Sequence, residues 1–134
     1  MPPVPPLSPL FAVLAVGSGG FVGAVARYGM SRAVQRFTPG GTFPTATFAV
    51  NLIGCVAIGA LATHLLQRDP PAPEALRLVL LTGLLGAFTT FSTFGLETLT
   101  LMRDRHLGLA LAYVGGSVVL GVLGVALGRA LVLR

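Results

Sequence analysis

Between Arg77 and Glu97 the chain carries no charged side chain. A run of that length and apolarity suits a bilayer crossing, because the hydrocarbon core takes about 20 residues of helix. Its middle is nevertheless poor helix. In TGLLGAFTTFSTFGLE, Thr82 to Glu97, two glycines (Gly83, Gly86) and the hydroxyls of Thr89, Thr90, Ser92 and Thr93 stand where a lipid-facing span would carry Leu and Val. In hydrocarbon every backbone N–H and C=O must be satisfied internally, so an interruption survives only where it packs against protein or lines a water or ion site. The stretch predicts a broken span with a functional purpose. If helix resumes after the break, Thr90, Thr93, Glu97 and Thr100 fall at i, i+3, i+7 and i+10 on one face, with Phe91 and Phe94 beside them. Two readings are open: a hydroxyl-lined ion path, or Ser and Thr as glue between packed helices with Phe as filler.

Three more apolar segments accompany this one. The first is expected from Leu10 to about Arg27, continuing as a wetter helical end toward Arg36. Gly19 and Gly23 in it form a small-xxx-small pair that admits a close neighbour. Arg27 arrives early for a flank; it either snorkels to the head groups or gives an anion a positive vestibule. TPGGT, Thr38 to Thr42, reads as a turn. The second span, Phe43 to Gln67, holds Asn51 well inside, where a lone amide needs a partner: a neighbouring helix, or an anion to which it donates. RDPPAPEALR, Arg68 to Arg77, is a second turn, with Pro73 and Glu74 suited to a helix start. RDRH, Arg103 to His106, is a third. The fourth span, Leu107 to Leu127, is rich in Gly, which implies tight helix contacts along much of its length; Tyr113 and Ser117 share one face of it. The opening MPPVPPLSPL lacks the positive region of a cleavable leader and is expected to be an extended tail over residues 1–9, with a four-helix domain over 10–134.

Composition agrees. The chain is 54% hydrophobic and 10% charged, against roughly 25% charged in soluble domains. Its cations are nine Arg and no Lys, spread singly along apolar spans, so the high charge marks loops and lipid head groups and gives no nucleic-acid face. One Cys, Cys55, excludes a disulfide framework within the chain. No metal-ligand spacing, nucleophile elbow or phosphate loop is present, which argues against an enzyme. Four spans put both termini on one side, with Arg68, Arg77, Arg129 and Arg134; Arg27, Arg32, Arg36, Arg103 and Arg105 lie opposite. Four against five nearly erases the Arg bias that sets orientation. Insertion both ways, and an antiparallel dimer of opposite copies, is the expectation.

GGFVGAVARY (Gly19 to Tyr28), GTFPTATFAVNLIG (Gly41 to Gly54) and GLLGAFTTFSTFGLET (Gly83 to Thr98), with Tyr113 and Ser117, together resemble the small bacterial fluoride channels of the Fluc or CrcB type. The likeness covers nearly the whole chain after the tail. It implies an all-α integral membrane protein of four helices with the third broken, forming an antiparallel dual-topology homodimer in the bacterial cytoplasmic membrane. Two fluoride pores and a central sodium ion are implied with it. Carried over by motif position, the sodium ion is held by the backbone carbonyls of Gly86 and Thr89. Phe91 and Phe94 are the pore phenylalanines, Asn51 the pore asparagine, and Thr90, Ser92 and Thr93 the polar track. Tyr113 and Ser117 are fourth-helix pore positions, and Arg27 stands near the pore entrance. Conduction is expected to be passive and to lower cellular fluoride. The Pro-rich start, Pro44 and Thr45, and Cys55 depart from the family pattern. Two rivals stand beside this reading. A small dual-topology exporter of organic cations needs an embedded carboxylate; the first span has none, and Glu97 is the only one near a span. A non-transporting assembly subunit would use the glycines for packing alone.

Overall fold

The computed structural model describes residues 7–67 and 70–133. Residues 1–6 of the expected Pro-rich tail, with Arg68, Asp69 and Arg134, lie outside the described residues. Among the described residues four helical spans are long and apolar enough to cross a membrane: Pro9–Phe37, Thr45–Gln67, Glu74–Arg103 and Leu107–Val132. The chain is an all-helical, multi-pass membrane protein.

Helix α1 (Pro9–Phe37) starts where Ser8 stands as N-cap, its hydroxyl accepting the Phe11 N–H at 3.4 Å, and where Pro9 fills a first-turn position that needs no N–H. Its 29 residues rise about 43 Å, more than a bilayer core of about 30 Å. Part of the helix therefore extends beyond the hydrocarbon, and the charged end with Arg32 and Arg36 is the part that composition suits to that place. Helix α2 (Thr45–Gln67) begins two residues after Phe43. Pro44 contributes only its carbonyl, which accepts the Phe48 N–H at 3.1 Å, and the Phe43 ring is left free to pack elsewhere.

The third span is composite. A short α3 (Glu74–Arg77) passes into a π-helical stretch, Leu78–Leu85, and then into α4 (Gly86–Phe88). Nothing in the residue pattern announces the π geometry, in which the Gly86 N–H reaches back five residues to the Leu81 carbonyl. Thr89 (φ −85°, ψ 163°) and Thr90 (φ −149°, ψ 119°) are extended, and α5 (Phe91–Arg103) follows. Helix α5 closes on a Schellman cap: the His106 N–H donates to the Leu101 carbonyl at 2.9 Å and the Arg105 N–H to Met102 at 3.2 Å, with Arg105 at φ 61°. Helix α6 (Leu107–Val132) runs five residues past Leu127.

Helix α2 lies along α6, and α1 along the π-helical stretch. Backbone meets backbone in both seams. A Cβ on Gly19 or Gly23 would strike the carbonyl oxygen of Val79 or Leu84, and one on Gly59 or Gly128 would strike that of Val125 or Val56. The small pair in the first span therefore does admit a close neighbour. In α6, Gly116, Gly121, Gly124 and Gly128 face α2, whereas Gly108 and Gly115 have nothing within 4 Å among the described residues, so the tight contact covers the second half of that helix. Large apolar side chains such as Phe21, Leu111 and Val122 point outward, the arrangement a lipid solvent stabilises and water does not. Inside, Tyr113 is fully buried, with Leu101, Ala110, Phe43, Phe48 and Phe94 around it.

Candidate functional site

Two extended residues in a membrane span leave backbone groups that need partners, and Asn51 on α2 supplies them. The Thr90 N–H donates to Asn51 Oδ1 at 2.9 Å, and Asn51 Nδ2 donates to the Thr90 carbonyl at 3.1 Å. A side-chain amide here imitates the edge of a strand. Helix α2 approaches closely enough because residue 54, one turn on, is Gly; a Cβ there would strike the Thr89 methyl. Thr90 is also the N-cap of α5: its hydroxyl accepts the Thr93 N–H at 3.3 Å, and donates to the Thr93 hydroxyl at 3.0 Å. Ser92 is exposed, with its hydroxyl 3.4 Å from that of Thr90. The Thr89 hydroxyl turns back to the Leu85 carbonyl at 3.1 Å.

These bonds redirect helix donors. The Thr90 N–H would serve the Gly86 carbonyl in a continuous helix, and the Thr93 N–H would serve that of Thr89. Asn51 and the Thr90 hydroxyl take them instead. The carbonyls of Gly86 and Thr89 thereby lose the donors that an i+4 ladder provides.

A second centre forms about Glu97. Its carboxylate accepts the Thr47 hydroxyl at 2.8 Å through Oε1 and the Tyr113 hydroxyl at 2.7 Å through Oε2. No role for Glu97 emerges from spacing, although a lone carboxylate in an apolar span was the available signal. Its partners are 50 and 16 residues away, beyond any local pattern. Tyr113 is both packed and satisfied: its ring centroid lies 5.0 Å from Phe94 and 5.4 Å from Phe43, and its hydroxyl is held by Glu97. Phe91 and Phe94 are 5.6 Å apart at 40°. Phe94 is half-buried, whereas Phe91 is 84% exposed.

Clefts with both polar and apolar lining flank the two centres. One of about 290 Å³ is lined by Arg27, Tyr28, Ser31, Thr47, Thr90 and Thr93, with Ala24 and Val50 behind them. Another, about 330 Å³ and open, runs along Asn51, Cys55, Gly86, Thr89, Thr90 and Phe91. Thr90 lines both. The hydroxyl stripe expected on one face is thus divided, since Glu97 and Thr100 line a separate cleft of about 350 Å³ with Thr42 and Asp104. Thr47, at the rim of the Arg27 cleft, joins the two through its bond to Glu97. Ser117 faces a cavity of about 20 Å³ shared with Asn51, Phe48 and Cys55, and its buried hydroxyl has no partner among the described residues. Around the extended pair the fold therefore gathers Arg27, Asn51, Gly86, Thr89, Thr90, Phe91, Thr93 and Ser117. Phe94 and Tyr113 stand one layer away.

Residues 14–129 match the family described as CrcB-like protein, Camphor Resistance (CrcB). The chain is 44% identical over 123 residues to the fluoride-specific ion channel FluC of Methylobacillus flagellatus, covering 92% of this chain and 95% of that one. It is 49% identical over 114 residues to the fluoride-specific ion channel FluC 1 of Moorella thermoacetica, covering 85% and 79%. It is 46% identical over 122 residues to the FluC of Paracoccus denitrificans, covering 88% and 94%.

Proposed function

This chain belongs to the CrcB-like family, and on that premise we propose that it is a passive, fluoride-selective channel of a bacterial cytoplasmic membrane, working as an antiparallel dimer. It is a channel rather than an enzyme. The observation that carries the reading is the Thr89–Thr90 pair held open by Asn51, because it concentrates anion donors in one short region of a span.

Fluoride is small and strongly hydrated, so a path for it must replace water with hydrogen-bond donors. Arg27 supplies positive potential in the cleft that leads to Thr90 and Thr93. Asn51 spends one amide proton on the Thr90 carbonyl and has a second to offer. Ser117, whose hydroxyl has no partner among the described residues, adds another donor near it. Ring edges carry positive charge, which gives Phe91 and Phe94 a means of meeting an anion after it leaves the hydroxyls. Tyr113, fixed by Glu97, holds the Phe94 ring in place. Glu97 has both oxygens occupied by hydroxyl donors, which disfavours the exporter chemistry that requires a free carboxylate.

The carbonyls of Gly86 and Thr89, deprived of their helix donors, are hard oxygen ligands suited to a sodium ion. Two copies meeting at this level would present four of them. Bound there, the ion supplies a fixed positive charge and ties the copies together. A second copy is also supported by Phe91, whose ring is exposed beside the open cleft, and by the balanced Arg distribution. Two pores per dimer follow from the two-fold arrangement.

The test is efflux from proteoliposomes loaded with fluoride or chloride. Rapid fluoride release with chloride retained is expected. Uptake of organic cations on a proton gradient without fluoride release would overturn the reading.

A further inference from the structure

The turn between α2 and α3 folds back on α2, where the Ala72 N–H donates to the Leu65 carbonyl at 2.9 Å and Ala72 itself is 3% exposed. This anchor sets Glu74 and Arg77, one turn apart at the start of the third span, beside Leu66 near the end of α2. With Leu78, Leu81 and Thr82 they line an open cleft of about 270 Å³. The Nε of Arg77 is buried and has no hydrogen-bond partner among the described residues. Glu74 shares the cleft, yet the two side chains form no ion pair with each other.

The Nε of Arg77 is withdrawn from water with no acceptor among the described residues, and an anion that reaches the part of Arg77 lining the cleft would offset that cost. Arg77 and Glu74 present opposite charges to one cleft, so an occupant that satisfies both brings a negative group to Arg77 and a positive one to Glu74. The cleft lies at the end of a membrane span and is floored by three leucines, so that occupant also has apolar chains. We infer that this cleft binds a phosphatidylethanolamine head group, its phosphodiester on Arg77, its ammonium on Glu74, and its acyl chains over Leu66, Leu78 and Leu81. Guanidinium and phosphate oxygens form short, charge-assisted bonds with matched geometry. The ammonium supplies N–H donors to the carboxylate, which the methylated amine of a choline head group lacks. A glycerol head group has no cation for Glu74, and its phosphate alone is repelled by that carboxylate. The inference rests on the chain spanning a membrane and is independent of fluoride conduction.

Native mass spectrometry of the full-length protein, delipidated in detergent and given equal amounts of phosphatidylethanolamine, phosphatidylglycerol and phosphatidylcholine with the same acyl chains, tests it. The expected result is a several-fold preference for phosphatidylethanolamine. Glu74→Gln should keep lipid binding and lose that preference. Arg77→Gln should lose the bound lipid, Arg77→Lys should retain part of it, and Arg32→Gln, at the far end of α1, should behave as the parent chain. Equal retention of the three lipids, or an unchanged preference in Arg77→Gln, would overturn the assignment. So would displacement of the lipid by soluble phosphoethanolamine as readily as by the lipid itself, since the site would then belong to a soluble ligand. Fluoride efflux from the same preparations separates the two ideas: efflux without lipid preference sinks the lipid site alone, and lipid preference without efflux sinks the channel alone.

Discussion

Asn51 is a polar residue with a double duty. Its amide completes the backbone of Thr90, and the sequence alone offered a helix partner or an anion as its role. Removing it leaves an N–H and a C=O without partners in a low-dielectric interior, at about 1–3 kcal/mol for each group. Asn51→Ala should therefore lower the unfolding temperature in detergent as well as abolish fluoride efflux; an unchanged melting curve would show that Thr90 finds another partner. The two phenylalanines should behave differently from each other. Phe94 packs on Tyr113, so Phe94→Ile should cost about 1 kcal/mol of stability and reduce efflux. Phe91 is mostly exposed, so Phe91→Ile should reduce efflux while the melting temperature of the subunit stays put. Equal melting shifts in both variants would contradict this division. Glu97 was legible as a lone carboxylate, but its pairing with Thr47 and Tyr113 was not, because hydrogen bonds between distant helices leave no periodic trace.

The helices illustrate how neighbours override local preference. Apolar content and turn residues announce four spans, but Ser8 and Pro9, which cap and open α1, fall in what the sequence suggests is an extended tail. Yet the π-helical stretch Leu78–Leu85 has no sequence signature, although its Val79 and Leu84 carbonyls sit directly against Gly19 and Gly23 of α1. Gly54 is the glycine on which the site depends. Gly54→Ala should push α2 from Thr89 and break the Asn51–Thr90 pair, with loss of efflux. Gly29→Ala, at an open position of α1, should be neutral or stabilise by up to about 1 kcal/mol. Similar effects of the two substitutions would refute the close-approach argument. At the end of α5, Arg105 occupies a left-handed conformation that a side chain strains by about 1 kcal/mol. Arg105→Gly should raise the melting temperature, and a decrease would mean that the Arg side chain contributes more than the strain removes.

A single copy leaves the cleft along Asn51, Gly86, Thr89 and Phe91, lined by α2 and the third span, open on its outer face. In lipid such a groove would expose amide, carbonyl and hydroxyl groups to hydrocarbon, which is the physical case for an opposite-facing second copy. A reporter fused to the C-terminus should accordingly be found on both sides of the membrane; appearance on one side alone would remove the dual-topology proposal. If sodium ties the two copies at the extended residues, proteoliposomes prepared with a bulky organic cation in place of sodium should lose most fluoride efflux and recover it on sodium addition. Efflux indifferent to that exchange would dismiss the ion.

Membrane class, helix number and the location of the interruption can be read from the amino-acid order, because hydrocarbon selects apolar runs about 20 residues long and tolerates Gly, Thr and Ser in their midst only for cause. Which groups satisfy one another could not be read that way. Asn51 with Thr90, Glu97 with Thr47 and Tyr113, and Gly54 under Thr89 are joined by helices whose relative rotation and depth are set by packing. A polar atom in a membrane protein acquires its meaning from the one partner it can reach, and reach is a property of three dimensions.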